Sequence, residues 1–377
     1  MFFEATVRAG ASRRGVAGIG PIALVGAFSG SSGVAASAQL ASRAFDILGV
    51  PHRRIDVGDF AEPPAPDGES AAAWLFYLNP PELMHLLRRW DLKQLRGLRF
   101  AYWAWELPRA PSTWRRAAAC MDGVMAPSRF TADAFAGVIP PVTVTPHPVV
   151  ADELIGLPAR GMRTGERPFR AVSLFDAKSS VARKNPFGAL DAFQRAFGDG
   201  DDARLVFKVQ NEEVAPGFIQ EIRSRAGPNV EFVHGEWPRE RVLALIASAD
   251  VLISLHRSEG FGLTMAEAML VGTPVVATAW SGNLDFMDED CVCCTPARLI
   301  AVSDNQTIYS GQRWADPDIG VAADHLRRLF ADEEFGRGLA ERARLRVRRQ
   351  LDPAAWMKSF PAPLREAIGS MREAGEA

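Results

Sequence analysis

The chain has 377 residues, of which 47% are hydrophobic, and a formal net charge of −2 at pH 7. This length is long for one hydrophobic core and suits two domains of ordinary size. The near-neutral charge argues against a general nucleic-acid-binding protein, which normally carries a strong basic excess.

The positive charges are concentrated in the first half of the chain. They recur in small groups: Arg13, Arg14, Arg43, Arg53, Arg54, Arg88, Arg89, Lys93, Arg96, Arg99, Arg109, Arg115 and Arg116. They are either solvated helix faces or a surface that contacts anionic lipid or an acidic acceptor. The sequence leaves both interpretations open.

Cysteine usage and hydropathy predict a cytoplasmic protein. Three of the four cysteines are clustered between residues 291 and 294, and no His or second Cys pair stands at a zinc-ligand spacing. No apolar run reaches the about 20 residues of a membrane-spanning helix. Glu4 and scattered arginines interrupt any signal-peptide core. We therefore expect reduced thiols and, at most, peripheral contact with the inner membrane.

Strands and helices alternate along the first half, which is typical of α/β folds with parallel sheets. The predicted strands are residues 22–28, 51–57, 73–78, 98–105, 123–126 and 142–144. The predicted helices are residues 35–48, 82–89, 113–120 and 129–135, the last with Ser128 as its N-cap.

A proline- and glycine-rich stretch, residues 146–168, separates this series from a second one. The second series has predicted strands at 169–175, 204–209, 230–233, 251–255 and 274–277, and predicted helices at 187–197, 217–225, 239–247 and 263–270. We therefore predict domains at residues 1–150 and 151–350, and a final segment, 351–377, whose helix near 356–368 is a candidate to cross back to the first domain. Two wound sheets joined by a hinge leave a crevice between them, where ligands of such folds bind.

The most specific motif, residues 258–269, reads S-E-G-F-G-L-T-M-A-E-A-M and follows a predicted buried strand. Gly260 and Gly262 allow a tight turn and a close approach of the backbone to a ligand. The free amides at the start of the following helix favour a phosphate. Glu259 precedes this helix and Glu267 comes about two turns later, so one acid can contact a sugar and the other a nucleotide ribose.

This stretch resembles the retaining nucleotide-sugar enzymes of glycosyltransferase family 4. The hallmark of that family is a pair of glutamates with seven residues between them, here Glu259 and Glu267, and the G-T-P-V-V-A and S-G-N that follow also match. The resemblance implies the GT-B fold, in which two Rossmann-like, doubly wound parallel-sheet domains face a central cleft. It implies that Glu267 binds the ribose of the donor and that Glu259 contacts the transferred sugar. The donor diphosphate would lie on the backbone amides of Phe261, Gly262 and Leu263.

A cationic loop follows the first strand of the second domain. Family members carry an arginine and a lysine there, and positive charge is needed because negative charge develops on the departing diphosphate. Lys184 fits the lysine position. Lys178 stands at the usual offset of the arginine and Arg183 is adjacent to Lys184, so these two share the second role.

The resemblance also implies independence from metal, and we expect no Asp-x-Asp at a strand end as a metal clamp. We therefore expect no metal and no cofactor, the nucleotide sugar being a substrate.

The first domain holds a glycine loop, Gly30-Ser31-Ser32-Gly33. It resembles the loop from which the family's first domain reaches the diphosphate and the sugar, and a plain turn is an equal alternative. Because it is not a G-x-G-x-x-G fingerprint, a dinucleotide-dependent dehydrogenase is disfavoured.

Glu106 follows an aromatic run at a position where many family members carry a histidine. It is the nearest polar replacement, whereas the aromatic residues suit either a core or a surface on which a sugar ring stacks. His147 in the hinge and His256 near the glutamate motif are two further candidates for donor contact, and a hinge role is the plainer account of His147.

The sequence thus predicts a hexosyltransferase that uses a nucleoside-diphosphate sugar, GDP-mannose being one candidate, and retains anomeric configuration. The acceptor would be a hydroxyl of a glycan or lipid-linked saccharide in surface polysaccharide synthesis, and no nucleic-acid partner is expected. A non-catalytic sugar-nucleotide-binding protein and a GT-B sugar-nucleotide epimerase are the alternatives. A phosphorylase-like enzyme would need a much longer chain.

Overall fold

The computed structural model describes Gly18 and residues 20–30, 32–58, 63–64, 70–90, 95–139, 142–150, 167–200, 202–304 and 306–376. The chain divides into two units. Unit 1 comprises Met1–Val150 and Leu351–Ala377, and unit 2 comprises Ala151–Gln350.

Unit 1 contains a six-stranded parallel sheet in the order β2-β1-β3-β4-β5-β6. Its strands are β1 (Ile22–Gly26), β2 (His52–Asp56), β3 (Ala73–Tyr77), β4 (Leu98–Tyr102), β5 (Gly123–Ala126) and β6 (Val142–Val144). The helices between them are α1 (Gly33–Ile47), α2 (Pro80–Leu87), α3 (Arg115–Ala118) and α4 (Arg129–Phe135). β1, β3 and β4 are buried along their whole length, as parallel strands covered on both faces are.

Local chemistry sets the helix ends of unit 1. The Ser128 hydroxyl accepts a hydrogen bond from the Thr131 amide at 3.1 Å, which confirms the predicted cap of α4. The predicted helix 113–120 is shorter than expected, because a 3-10 turn (Ser112–Trp114) precedes α3.

The C-terminal segment of the chain packs in the core of unit 1. The Trp356 ring lies 5.1 Å from the Phe45 ring and 4.6 Å from the Phe360 ring, measured between centroids. The single helix predicted near 356–368 is instead two helices, α12 (Pro353–Lys358) and α13 (Ala362–Glu376). The break falls at Pro361, whose ring nitrogen cannot donate the hydrogen bond that a continuous helix needs.

Unit 2 contains a second six-stranded parallel sheet, in the order β12-β11-β10-β7-β8-β9. Its strands are β7 (Phe169–Asp176), β8 (Ala203–Gln210), β9 (Val230–His234), β10 (Val251–Ser254), β11 (Val275–Thr278) and β12 (Cys293–Thr295). The helices that accompany these strands are α5 (Val181–Lys184), α6 (Pro186–Phe197), α7 (Pro216–Arg225), α8 (Arg239–Ala247) and α9 (Leu263–Val271). The two parallel sheets confirm the predicted α/β class.

The last part of unit 2 was not predicted from the sequence. An antiparallel hairpin, β13 (Ala297–Ala301) and β14 (Arg313–Pro317), lies outside the six-stranded sheet. It is followed by α10 (Ile319–Ala331) and α11 (Glu333–Leu351). Alternate residues of β7 and β8 form one buried cluster with α6 and α10, so the side chains that leave the carboxyl ends of these strands are held by a packed sheet.

Candidate functional site

The loops after β7 and β10 carry the candidate site of unit 2. Asn185 lies at the junction of α5 and α6 with a φ of 51°, a left-handed conformation that asparagine adopts more readily than most residues. Its side-chain amide donates to the Leu255 carbonyl oxygen at 2.8 Å, and its Oδ1 accepts from the Gly188 amide at 3.3 Å. Asn185 therefore ties the end of the first loop to the start of the second.

Three charged side chains meet where these loops approach each other. The Lys184 ammonium donates to Glu259 Oε1 at 2.5 Å, and Arg183 Nη1 lies 3.5 Å from Glu259 Oε2. Arg183 also donates to the Ser258 carbonyl oxygen at 2.8 Å. Only 4% of the Arg183 side chain, 24% of Lys184 and 12% of Glu259 are exposed. We call Arg183, Lys184 and Glu259 the charged cluster.

The charged cluster carries a net positive charge. Burial by itself would raise the pKa of Glu259, but the charges of Lys184 and Arg183 outweigh burial and hold that pKa at about 2. Glu259 is therefore ionised at neutral pH. Two cations against one carboxylate leave one unit of positive charge in a site where little solvent screens it, which attracts an anion.

Lys178 does not join the charged cluster. It is exposed in the turn after β7, where its backbone amide donates to Asp176 Oδ1 at 2.9 Å. Of the two residues expected to share the arginine role, the structure brings Arg183 to Glu259 and leaves Lys178 outside.

The turn into α9 requires glycine at residue 262. Gly262 has a φ of +97°, and a Cβ placed there would lie 2.3 Å from Met265 Cε. Phe261 is buried, with its ring centroid 4.8 Å from that of Phe286, and this contact anchors the turn. The amides of the first helical turn, including that of Leu263, stand at a helix end where backbone donors lack an intrahelical partner.

Glu267 lies on α9 and has its own cationic partner. The side chain is 7% exposed, and Arg239 Nη1, at the start of α8, donates to its Oε1. The sequence analysis did not identify Arg239, because it stands 28 residues from Glu267 in the chain. The sequence feature that could have pointed to this contact is a basic residue at the first position of the preceding helix. Glu259 and Glu267 thus have separate cationic partners.

His256 links β10 to the loop after β11. The ring is fully buried, and its Nε2 lies 3.1 Å from Asn283 Oδ1 and 3.3 Å from the Trp280 carbonyl oxygen. Burial lowers the pKa of His256, which favours the neutral ring. These contacts hold the start of the Glu259 loop against the loop after β11, and the predicted donor contact of His256 stays a prediction.

The glycine loop of unit 1 is held by short local contacts. Ser32 caps α1 by accepting from the Ala35 amide at 3.2 Å, and Gln39 Nε2 donates to the Gly30 carbonyl oxygen at 3.2 Å. Gly33 begins α1, and a Cβ added there would meet nothing within 4 Å. Ser31, the fourth predicted residue of this loop, lies outside the described residues.

Glu106 and His147 occupy different surroundings in unit 1. Glu106 is half-buried in the loop that follows β4. His147 is buried, with Nδ1 3.2 Å from the Tyr102 hydroxyl, and that hydroxyl donates to the Thr145 carbonyl oxygen at 3.0 Å. These contacts pack His147 near the end of β6, and both its hinge role and its donor contact stay predictions.

An Asp-x-Asp does end a strand, contrary to the expectation from the sequence, since Asp316 and Asp318 flank Pro317 at the end of β14. The two carboxylates serve separate contacts. Asp316 Oδ2 accepts from Arg298 at 3.0 Å, and Asp318 Oδ1 caps α10 by accepting from the Gly320 amide at 2.8 Å. Within the described ranges, no group of three or more His, Cys, Asp or Glu side chains is arranged to hold a metal ion. In the same ranges, no helix combines the length and apolar character needed to cross a lipid bilayer.

Comparison with known proteins finds similarity that is centred on unit 2. Residues 177–346 match the model of the family described as glycosyl transferases group 1. A segment of 115 residues is 30% identical to the GDP-mannose-dependent alpha-(1-6)-phosphatidylinositol dimannoside mannosyltransferase of Mycobacterium tuberculosis. That match covers 30% of this chain and 29% of the mycobacterial protein.

Solved structures share the fold at low sequence identity. A glycosyltransferase from Rickettsia africae aligns with a TM-score of 0.65 at 11% identity, covering 94% of this chain and 98% of its own. Anabaena HepE, solved with UDP and glucose, aligns with a TM-score of 0.62 at 12% identity, covering 94% and 100%. The chain spans 55% of the Staphylococcus aureus TarM structure, which aligns with a TM-score of 0.55 at 10% identity over 79% of this chain. These likenesses confirm the predicted GT-B fold.

Proposed function

We propose that this protein is a retaining glycosyltransferase that uses a nucleoside-diphosphate sugar. The proposal starts from the match of residues 177–346 to the glycosyl transferases group 1 family. The observation that carries the proposal is the charged cluster. Arg183 and Lys184 meet Glu259 at the carboxyl ends of β7 and β10, the edge at which open parallel sheets bind ligands. From the resemblance to family 4, we expect the donor diphosphate and the transferred sugar to be bound at these residues.

Each donor group has a proposed partner in unit 2. The diphosphate would contact Lys184, Arg183 and the amides of residues 261–263, and the ribose hydroxyls would donate to Glu267. Glu267 is held in place by Arg239, so its carboxylate oxygens can accept hydrogen bonds without reorganising. In unit 1, the loop of Gly30, Ser31, Ser32 and Gly33 would approach the diphosphate, as in family members.

The charges favour a mechanism in which unit 2 stabilises the leaving group. Positive charge fixed in a poorly solvated site stabilises the negative charge that develops on a departing diphosphate. This contribution supports turnover without a metal ion. Because the pKa of Glu259 is about 2, this residue would accept hydrogen bonds from sugar hydroxyls rather than donate a proton.

The proton of the acceptor hydroxyl would pass to the departing phosphate oxygen, with attack on the same face of the sugar. A nucleophilic role of Glu259 is the less favoured alternative, since the pairing with Lys184 lowers the basicity of its carboxylate.

The acceptor is proposed as a hydroxyl of a glycan or lipid-linked saccharide, with Glu106 as the polar group on the acceptor side. GDP-mannose is the first donor to test, because the mycobacterial relative is named as GDP-mannose-dependent. Exposed arginines at the end of α2 and in α3, namely Arg88, Arg89, Arg115 and Arg116, would support peripheral contact of a cytoplasmic protein with anionic lipid.

The first experiment is a thermal-shift panel of nucleoside diphosphates and their sugars on the wild type and on Glu267→Ala, with EDTA present. A ligand that binds only the folded state raises the melting temperature by mass action. We expect one diphosphate, GDP first, to stabilise the wild type and to lose at least tenfold in apparent affinity with Glu267→Ala. A hydroxyl-to-carboxylate hydrogen bond of about 1.5–3 kcal/mol gives a loss of that order.

Glu289→Ala is the matched control, because Glu289 is an exposed carboxylate of the same unit. The proposal fails if no nucleotide at millimolar concentration stabilises the wild type. A response that appears only when divalent metal replaces EDTA would overturn the metal-free mechanism and leave the transferase proposal standing.

A further inference from the structure

The β13–β14 hairpin is joined to both loops of the charged cluster through Arg257. The Ala315 amide of β14 donates to the Arg257 carbonyl oxygen at 2.9 Å, and the Arg257 amide donates to the Arg183 carbonyl oxygen at 2.7 Å. Arg257 Nη1 donates to the Ala182 carbonyl oxygen at 2.8 Å. One residue therefore connects the hairpin to the two positions that precede Lys184.

The side chain of Arg257 is fixed from the hairpin side. Its Nη2 lies 3.7 Å from Asp316 Oδ1, and its guanidinium carbon lies 5.7 Å from the centre of the Trp314 ring. Both partners belong to β14. A planar guanidinium held by a carboxylate, an aromatic face and a carbonyl has little conformational freedom. It therefore restrains the loop that it contacts, in addition to contributing a charge.

A second contact reaches the same loop from the connection between the hairpin strands. The Ser180 hydroxyl donates to Asp304 Oδ2, and the same hydroxyl accepts from the Arg183 amide at 3.1 Å. Asp304 Oδ1 accepts from the Gln306 amide at 2.7 Å, which orients the carboxylate. The residue that caps α5 is thus itself held by the hairpin.

The helix α5 needs such support because it has four residues. A single helical turn is unstable in isolation, since nucleation fixes several residues for one hydrogen bond. Arg183 and Lys184 are the last two residues of that turn, so their direction depends on what holds it.

We propose that the β13–β14 hairpin positions Arg183 and Lys184 for a diphosphate, with Arg257 and Asp304 as the positioning residues. This inference rests on the proposed donor-binding function. The inference predicts different effects on the two parts of a nucleotide. Loosening α5 should weaken contacts to the diphosphate and leave contacts to the nucleoside unchanged.

The test compares the affinities of the full-length protein for GDP and guanosine, and for UDP and uridine, by ligand-observed NMR and calorimetry. A displacement of about 1 Å can cost on the order of 10²-fold at a positioned site. We expect Arg257→Ala to weaken diphosphate binding about 30-fold and nucleoside binding less than twofold. Asp304→Ala should weaken diphosphate binding about fivefold, and Asp304→Asn, which keeps an acceptor oxygen, should restore most of it.

Arg298→Ala is the matched control. Arg298 binds the same Asp316 carboxylate at 3.1 and 3.0 Å, but from the exposed side of the hairpin. We expect this variant to keep diphosphate affinity within twofold of the wild type.

Hydrogen exchange of the amides of residues 179–186 tests the positioning without any ligand. We expect exchange at least tenfold faster in Arg257→Ala and Asp304→Ala and unchanged in Arg298→Ala. Unchanged exchange in both, or equal weakening of diphosphate and nucleoside, overturns the inference. If the wild type binds no diphosphate, the proposed function fails while the exchange measurement still decides whether the hairpin positions α5. If Arg257→Ala does not fold, the Asp304 pair of variants carries the same comparison.

Discussion

The two units use the segments that follow their central strands in opposite ways. In unit 2, the loops after β7 and β10 bring Arg183, Lys184 and Glu259 into direct contact while little of them remains exposed. In unit 1, the segment after β4 places Trp103 and Trp105 in the core, with Trp103 fully buried. The loops of unit 2 bring charged side chains together, whereas the segment of unit 1 buries aromatic side chains.

The difference separates residues that the fold itself needs from residues that a ligand needs. Burying aromatic rings stabilises the folded state through the apolar area removed from water. Burying a carboxylate between two cations is often no more stabilising than burying apolar side chains of similar volume, because desolvation offsets much of the attraction. A buried charged group at the ligand edge of a sheet is therefore a candidate for function, whereas a buried tryptophan is first a candidate for packing.

The largest expected effect is on the stability of unit 1. The Trp103 ring lies 5.9 Å from the Trp114 ring and 6.0 Å from the Phe135 ring, both edge-to-face. Trp103→Ala should lower the free energy of unfolding by about 4 kcal/mol through lost burial and the cavity left behind. Urea denaturation measures the change, with Trp237→Ala, a half-buried tryptophan of unit 2, as the comparison at a smaller cost. Unchanged stability combined with lost acceptor use would instead assign Trp103 to sugar stacking.

The second effect concerns turnover in unit 2. Glu259→Gln removes the carboxylate proposed to contact the transferred sugar, and we expect kcat to fall about 10²–10³-fold, the range for one preorganised electrostatic contact. Affinity for the nucleoside diphosphate should stay equal or rise, because Lys184 and Arg183 lose the carboxylate that competes with the phosphates for them. Steady-state kinetics and calorimetry together make the test. A parallel loss of diphosphate affinity would show that Glu259 acts only by holding the two cations.

The third effect follows from the lowered pKa of Glu259, from an ordinary value of 4.5 to about 2. A carboxyl group with a lowered folded-state pKa contributes stability that is present above its unfolded pKa and lost as pH falls through the folded value. The wild type should therefore lose on the order of 3 kcal/mol between pH 4.5 and pH 2 that Glu259→Gln does not lose. Unfolding curves of both proteins at a series of pH values give the difference, in which the other carboxylates cancel. Parallel pH profiles would contradict the ion pairing of Glu259.

The same contrast explains which parts of the fold could be predicted from the sequence. Strands β5 and β6 and helix α4 have the predicted bounds, because apolar runs mark the two strands and the Ser128 cap marks the start of the helix. The hairpin and α5 were missed. The hairpin side chains of β13 are largely exposed, so no buried alternation marks that strand, and α5 depends on contacts with residues more than seventy positions away.

The motif of the candidate site could be predicted from the sequence, but the contact partners of its residues could not. The glutamate spacing identified Glu259 and Glu267 and the cationic loop identified Lys184, because these are patterns of neighbouring residues. The choice between Arg183 and Lys178 depended on the direction of a single helical turn, which no local pattern determines. Arg239 was not predicted, because its contact with Glu267 joins two helices, α8 and α9, and is not a pattern of neighbouring residues.

The smallest expected effect tests the acceptor side of the comparison. Glu106 is half-buried beside the aromatic segment of unit 1, and we propose that it contacts the acceptor. Glu106→Gln keeps the shape and removes the charge, so kcat should fall about fivefold and the acceptor KM should rise, as for one lost charge-assisted hydrogen bond in a partly solvated place. Affinity for the nucleoside diphosphate should not change, since Glu106 is not among the residues proposed to bind that ligand.

Asp133→Asn is the control, an exposed carboxylate of the same unit on α4, and it should leave all constants unchanged. Slow hydrolysis of the donor without acceptor adds a second readout. If Glu106→Gln slows transfer but not hydrolysis, the carboxylate acts on the acceptor. If it slows both equally, Glu106 acts on the donor, and its assignment to the acceptor is wrong. If it slows neither, the polar group that replaces the family's histidine must be sought elsewhere in unit 1.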